Sequence, residues 1–191
     1  MLRVLSILLF SLFATEASHA VTPVIDANLF YFSDTMSYSS KTSAYQRLFW
    51  DAMVGMPLTS KKTWILGWNY DSYSFSDNPG TATTLTITDM GPKLLTYFDK
   101  DRTWVLGLTY NLITTGAYSA SGSTGIVLTG SSLRAEFGYS GVITEGVLIG
   151  ARLNYYKASF NQKITNNATL TTVSDGRTAI YPSISFTFRF E

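Results

Sequence analysis

The residues with which this chain could do chemistry are charged side chains in segments where polar and apolar residues alternate. Carboxylates and guanidinium groups form ion pairs when they meet, and two carboxylates that flank a sugar can cleave a glycosidic bond. An ion buried without a partner is costly, so charges on an enclosed face must be paired. In the alternating segments, one set of positions is expected to face the enclosed interior of the fold. The polar residues expected at these positions are Arg47, Asp51, Asn69, Asp71, Arg134, Glu136, Arg152 and Arg189, with Asp89 and Lys93 placed less regularly. The pattern predicts buried ion pairs.

The residue types that most enzymes need are scarce. The chain has no cysteine, and its one histidine, His19, lies in a segment that we expect to be cleaved. Without an imidazole or a thiol, the usual hydrolase arrangements and zinc sites cannot form. No two segments bring carboxylates together at one mouth of the predicted fold. We therefore expect no enzyme, no catalytic or metal-binding residue and no cofactor.

The first twenty residues have the features of a secretory signal. Arg3 supplies the positive charge, residues 5–13 form a short apolar run, and Ser18-His19-Ala20 offers a cleavage site after Ala20. The run is too short to span a membrane as a helix. The sequence predicts a signal peptide at 1–20 and one domain at 21–191.

Six segments of that domain alternate with a period of two, which is typical of strands with two different faces. Two further strands are less regular. Near 25–37, the run Leu29-Phe30-Tyr31-Phe32 leaves the faces ambiguous, and near 83–98 the parity switches at Asp89-Met90-Gly91-Pro92, which indicates a bulge. The aromatic residues expected on the outer face and its girdle are Trp50, Trp64, Trp104, Phe137, Phe186, Phe188 and Phe190.

An internal repeat relates the strands to one another. Lys62-Thr63-Trp64-Ile65-Leu66-Gly67 recurs forty positions later (62 to 102) as Arg102-Thr103-Trp104-Val105-Leu106-Gly107. Each period holds two strands, so four hairpins predict eight strands in an up-and-down barrel. Short turns are expected near 57–63, 99–102 and 141–145, and longer polar loops near 37–44, 76–82, 116–129 and 161–176.

The composition favours a barrel in a membrane. Charged residues make up 14% of the chain, against roughly 25% in soluble domains. The second strand face holds mainly Gly, Ser, Thr, Asn and Tyr, which suit the narrow interior of an eight-stranded barrel. A soluble, lipocalin-like secreted barrel that binds an apolar ligand is the alternative. The net charge of +1 argues against a nucleic-acid partner.

The C-terminal strand carries the most specific resemblance. Tyr181-Pro182-Ser183-Ile184-Ser185-Phe186-Thr187-Phe188-Arg189-Phe190 is similar to the signal recognised by the barrel-assembly machinery, although this chain adds Glu191 after the final aromatic residue. The chain resembles small eight-stranded outer-membrane β-barrel proteins of Gram-negative bacteria. The resemblance implies an all-β, antiparallel, up-and-down transmembrane barrel in the bacterial outer membrane. Outer-membrane lipid, lipopolysaccharide and the assembly machinery would be its partners, together with an extracellular partner of the loops.

Hairpin geometry suggests how the inner charges pair. A turn centred on Thr144 sets Glu136 opposite Arg152, and a turn centred on Ser60 sets Asp51 opposite Asn69. Paired ions could form a closed plug, which would give a non-enzymatic protein with a structural or surface-interaction role. They could also line a narrow pore, or a transporter for small solutes or apolar molecules.

Overall fold

The computed structural model describes residues 22–38, 41–59, 63–78, 82–99, 103–120, 123–165 and 169–190. The eight strands are β1 (Val24–Tyr38), β2 (Lys41–Pro57), β3 (Trp64–Asn78), β4 (Thr83–Tyr97), β5 (Trp104–Ala120), β6 (Ser123–Thr144), β7 (Val147–Thr165) and β8 (Thr169–Arg189). Each strand pairs antiparallel with the next, and β8 returns to β1 to close the barrel. The predicted all-β, eight-stranded, up-and-down barrel is confirmed. The expected signal peptide at 1–20 lies outside the described residues.

The strands form because inner and outer residues alternate. In β5 buried and exposed residues alternate from Trp104 to Tyr110, and β7 repeats this pattern over most of its length. The ambiguous strand β1 has Val24, Asp26 and Asn28 buried, so its even-numbered residues face inward. The predicted parity switch in β4 is wrong, because its odd-numbered residues from Ile87 to Tyr97 are all buried and its ladder with β3 has no register shift. The register does shift between Met90 and Lys93 where β4 pairs with β5, but the extra residue lies on β5, between Thr109 and Ile113. No helix in the described part of the chain is long and apolar enough to cross a membrane.

The predicted asymmetry between short turns and long loops is wrong. Only positions 39–40, 79–82, 121–122 and 166–168 separate the strands where long loops were expected, whereas 58–63 and 98–103 are longer connections. The Ser- and Thr-rich composition of these stretches predicts loops. Threonine and tyrosine also favour strands, however, and a hairpin that is polar on both faces can extend into water. We call the end with 58–63, 98–103 and 145–146 the turn end, and the opposite end the hairpin end.

Two of the turn-end connections have clear local causes. The tight turn after β6 contains Gly146 with φ of 76°, a backbone conformation that favours glycine. In the turn before β5, the Asp99 carboxylate accepts hydrogen bonds from the backbone N–H groups of Thr103 (2.7 Å) and Trp104 (3.1 Å), and from the Thr103 hydroxyl. Asp99 thereby holds the first residues of the repeated Thr-Trp motif in place.

The outer surface of the barrel carries a continuous apolar belt. It consists of the outward-facing residues at positions 25–31 of β1, 48–56 of β2, 64–70 of β3, 90–96 of β4, 104–112 of β5, 133–139 of β6, 149–155 of β7 and 180–188 of β8. Toward the hairpin end the same face becomes polar, with Gln46, Ser74, Thr86 and Ser159 among its residues. Trp104 lies at the turn-end margin of the belt and stacks on Phe137, with ring centroids 5.5 Å apart.

The interior is filled in three layers. The turn-end layer packs Val24, Met53, Ile65, Leu95, Tyr97 and Val105. The hairpin-end layer packs Phe49, Tyr73, Phe75, Ile87, Leu128, Tyr156, Ala158, Phe160 and Tyr181. Buried charged residues lie between these two layers, and they form the candidate site.

The closing pair of strands is joined over only part of its length. The ladder between β1 and β8 runs from Val24 opposite Arg189 to Leu29 opposite Ile184. Both strands continue toward the hairpin end, where β1 pairs with β2 and β8 pairs with β7.

Candidate functional site

Eight charged residues from six strands meet in the middle of the barrel, and we call them the ion-pair layer. Its members are Asp26 (β1), Asp51 (β2), Asp71 (β3), Asp89 and Lys93 (β4), Arg134 and Glu136 (β6) and Arg152 (β7). All are buried, because each occupies an inward position of its strand. Five carboxylates face three cations, so the layer has two more acidic than basic groups.

Arg152 and Asp26 form the strongest pair by geometry. The two guanidinium nitrogens of Arg152 donate to the two carboxylate oxygens of Asp26 at 2.6 and 2.8 Å. Arg152 also donates to Glu136 at 3.0 Å. Bidentate pairing of this kind adds directionality to the charge attraction. The Arg152–Asp26 pair links β7 to β1 inside the lumen. These two strands are not neighbours in the sheet, because β8 lies between them.

Arg134 forms ion pairs with two carboxylates on the other side of the lumen. Its guanidinium lies 2.5 Å from Asp71 and 2.5 Å from Asp51. Asp51 and Asp71 are directly opposite each other in the ladder between β2 and β3. Like charges in opposed positions repel, so Arg134 makes this placement tolerable.

Lys93 connects the two halves of the layer. Its ammonium lies 2.9 Å from Asp26, 2.9 Å from Glu136 and 3.5 Å from Asp51. The bulge in the ladder between β4 and β5 ends at Lys93. One point charge with three donors can serve three carboxylates on three different strands.

Asp89 is held by neutral groups. Ser132 and the Tyr156 hydroxyl each donate to it at 2.7 Å. Asn111 donates at 2.9 Å to Asp71, which is opposite Asp89 in the ladder between β3 and β4. Amide and hydroxyl donors therefore complete the acidic side of the layer.

A glycine makes room for the central carboxylate. Gly107 is opposite Glu136 in the ladder between β5 and β6. A Cβ atom built on Gly107 would overlap the Glu136 carboxyl group. The absence of a side chain at 107 therefore lets Glu136 reach Lys93 and Arg152.

The structure brings together most of the predicted inner residues. Asp51, Asp71, Arg134, Glu136 and Arg152 lie in the layer, and Asn69 is buried on the same inner face, opposite Met53. The less regular Asp89 and Lys93 also belong to the layer.

Two of the predicted residues lie elsewhere. Arg47 is near the hairpin end, where it pairs with Asp77 at 2.5 Å. Arg189 is at the turn end, with its guanidinium 4.6 Å from the Tyr97 ring centroid. The sequence shows that both face inward, but it does not give their height in the barrel.

Both predicted registers are wrong by two residues. Glu136 is opposite Asn154, and Asp51 is opposite Asp71. Each hairpin is centred one position later than expected, which shifts every pair by two and keeps the faces unchanged. Glu136 still reaches Arg152, because long side chains span a diagonal pair.

Sequence reasoning missed Asp26 and Asn28, since the run of large residues at 29–32 obscured the parity of β1. The alternation of Val24, Asp26 and Asn28 with their apolar neighbours was the available signal. Asn28 donates to Asp51 at 3.0 Å. Other missed partners, all on inward positions, are Asn111, Ser132, Tyr156 and Thr187.

The predicted outer aromatic residues lie on the outside. Trp50, Trp64, Trp104, Phe137, Phe188 and Phe190 are exposed, and Phe186 is half-buried. Within the described ranges, no group of three or more potential ligands is arranged to hold a metal ion. The arrangement can bind strands to one another and fill the lumen.

Comparison with known proteins does not assign the chain to a family. No protein-family model matches the chain, and the search of curated proteins finds no match. The class that the structure defines is a closed, eight-stranded β-barrel with a buried, ion-paired interior.

Proposed function

We propose that the mature chain is a non-enzymatic integral protein of the bacterial outer membrane, with a structural or surface-interaction role and a lumen closed by its own side chains. The observation that carries this proposal is the apolar belt around a charged interior. A soluble barrel turns its polar face to water and its apolar face inward. Here the ion-pair layer is enclosed between two apolar layers of the interior, and a further belt of large apolar side chains is exposed on the outside.

The height of the belt suits a bilayer. On β2, β5 and β8 the belt covers positions 48–56, 104–112 and 180–188, which is nine positions on each strand, and on the other five strands it covers seven. A tilted strand needs about 9–11 residues to cross the hydrocarbon. Lipid and lipopolysaccharide are accordingly the partners of the belt, and the barrel-assembly machinery is the partner that inserts it.

The filled interior favours a structural role over conduction. Eight strands enclose a space only wide enough for side chains, and three packed layers occupy it. The hairpins beyond the belt are polar on the outside, which suits contacts in water with an extracellular partner.

Membrane fractionation combined with a heat-dependent gel shift tests the proposal. We expect the mature chain in the outer-membrane fraction, and a faster-migrating band before heating, because closed barrels resist detergent. A chain that stays in the soluble periplasm without detergent would favour the lipocalin-like alternative instead. Discrete single-channel openings in planar bilayers would contradict the closed lumen.

A further inference from the structure

Among the strand residues whose side chains the structure describes, one charged side chain lies on the outer wall of the barrel. Lys157 of β7 is exposed between the buried residues Tyr156 and Ala158. The other described Asp, Glu, Lys and Arg side chains of the strands take inward positions. A wall that otherwise excludes charge therefore keeps one cation at a defined place.

Lys157 lies just beyond the apolar belt, on the side of the hairpin end. The last belt residue of β7 is Tyr155, so Lys157 is the next outward position, about 7 Å further along the strand. A lysine in the middle of the hydrocarbon would be costly, whereas a lysine at its margin can reach the anionic groups of lipid head groups. In the proposed bilayer, the ammonium is at head-group level.

Lys157 also lines a cavity of about 460 Å³, a volume within the range of small-ligand sites. The cavity forms where the ladders of the sheet are interrupted. Asn161 of β7 has no ladder partner, and neither do Val173 and Ser174 of β8. All three line the cavity. A phosphate ion alone would fill only a small part of this volume.

The next outward row beyond Lys157 is small and polar. Ser131 is opposite Ser159 in the ladder between β6 and β7, and Ser159 is opposite Gly176 in the ladder between β7 and β8. All three line the cavity. The two hydroxyl groups can donate and accept hydrogen bonds, and the missing side chain at 176 leaves room beside them. Such a row suits a hydroxylated ligand.

The cavity lining has an excess of positive charge. It contains Lys157, Arg177 and Asp175, which are two cations and one carboxylate. Within the described ranges, neither cation is part of an ion pair. The lining therefore favours an anionic ligand.

Belt residues adjoin the cavity. Leu133 is opposite Lys157, and Tyr155 is opposite Ile180, and all three of these apolar residues are exposed. A ligand whose polar end occupies the cavity can therefore lay acyl chains on the belt directly next to it.

We propose that this cavity binds the phosphorylated sugar head group of a membrane lipid, with a phosphate at Lys157, a sugar ring against Ser131 and Ser159, and the acyl chains on the adjoining belt. The inference rests on the proposed function, and it gives one lipid class a defined site on the barrel. The outward cation selects the phosphate, and the polar cavity selects a sugar over a plain phospholipid head group.

Moving the charge tests the phosphate contact. The chain, refolded in detergent, is titrated with diphosphoryl lipid A, a phosphorylated diglucosamine lipid, and native mass spectrometry counts the bound molecules. We expect one molecule, bound about tenfold more tightly than the dephosphorylated lipid, the size of effect of one charge-assisted contact. Lys157→Gln should erase this preference, and Lys157→Arg should keep it.

The matched control keeps the net charge and moves the cation. Thr88 is the first outward position beyond the belt on β4, between Ser72 and Thr115. The double variant Lys157→Gln/Thr88→Lys should bind no better than Lys157→Gln. If it regains the preference, the attraction is general to the wall and the proposed site is wrong.

Filling the cavity tests the sugar contact. Ser159→Phe should weaken lipid A binding at least tenfold, while Ser74→Phe, also outward and beyond the belt, should bind like the unaltered chain. Phosphatidylglycerol, an anionic lipid with no sugar, should bind both variants equally and more weakly than lipid A binds the unaltered chain. Soluble glucosamine 1-phosphate should also bind more weakly than lipid A. Binding of either compound as tight as that of lipid A would overturn the proposal.

The outcomes separate the two proposals. A chain that stays soluble without detergent and shows no shift on heating overturns the membrane function and this inference together. A chain that inserts into vesicles and shifts on heating, but binds lipid A with and without its phosphates equally, overturns only the inference.

Discussion

The ion-pair layer and the apolar belt occupy the same strands at the same height, and they are opposite in chemistry. In β6, Arg134 and Glu136 are buried among charges, while Leu133 and Phe137 are exposed on the outside. Neighbouring residues of a strand are about 3.3 Å apart. The comparison teaches that in this fold the parity of a position, rather than the mean polarity of its segment, decides whether a charge is tolerated.

The largest effect should come from removing a cation of the layer. Arg152→Met removes the bidentate partner of Asp26 and the nearest guanidinium to Glu136, so that the two carboxylates share Lys93, and Glu136 keeps only Arg134 at 3.7 Å besides. Breaking a buried pair in this way costs about 3–5 kcal/mol. Urea unfolding in vesicles should show this loss, and Arg189→Met, which lies outside the layer, should show much less. Equal losses would mean that the layer is no more sensitive than the turn end.

A charge placed on the belt should have the next largest effect. Leu108→Arg puts a guanidinium in the middle of the belt on β5, where Arg costs about 2–4 kcal/mol. Thr86→Arg is the matched control, since Thr86 faces outward beyond the belt between Ser74 and Ala117. The folded fraction in vesicles, read from the gel shift, should fall for the first variant only. If both insert equally, the outer surface is not in contact with lipid.

Filling the space beside Glu136 should have a smaller effect. Gly107→Ala forces the Glu136 carboxyl group to move away from Lys93 or Arg152. Overpacking of this kind costs about 1–3 kcal/mol. Gly141→Ala is the control, because the nearest atom to a Cβ there is 3.9 Å away. Urea midpoints that do not differ between the two variants would contradict a tightly packed layer.

The smallest expected effect is on the pKa of Asp99, a carboxylate that lies outside both the ion-pair layer and the apolar belt. Hydrogen bonds from Thr103 and from the backbone N–H of Trp104 lower the pKa of Asp99 below its ordinary value. A lowered pKa means that this contribution to stability is present above the pKa of the unfolded chain and is lost as pH falls through that of the folded chain.

A carboxyl carbon NMR titration checks this point. Thr103→Val removes the hydroxyl donor and keeps the side-chain shape, so the Asp99 pKa should rise toward its ordinary value. An unchanged titration would show that the turn does not stabilise the charged form.

The sequence was sufficient for the parts of the fold that depend on parity. Alternation in β5 and β7 predicted which residues face inward. The parity switch expected at Asp89-Met90-Gly91-Pro92 does not occur, because the extra residue of the bulge is on β5. Register and height depend on the turn that closes each hairpin, and composition alone does not determine where that turn is centred. Contacts across the lumen, such as Asp26 with Arg152, join residues 126 positions apart and depend on every register between them.

The ion-pair layer also bears on the order of assembly. Its members come from six strands, and the pair of Asp26 with Arg152 forms only when the first and last parts of the chain are both in place. An incomplete sheet placed in lipid would present carboxylates without their cations, which is strongly unfavourable. In the proposed membrane location, the first and last strands would therefore have to meet before the charged layer is placed in lipid.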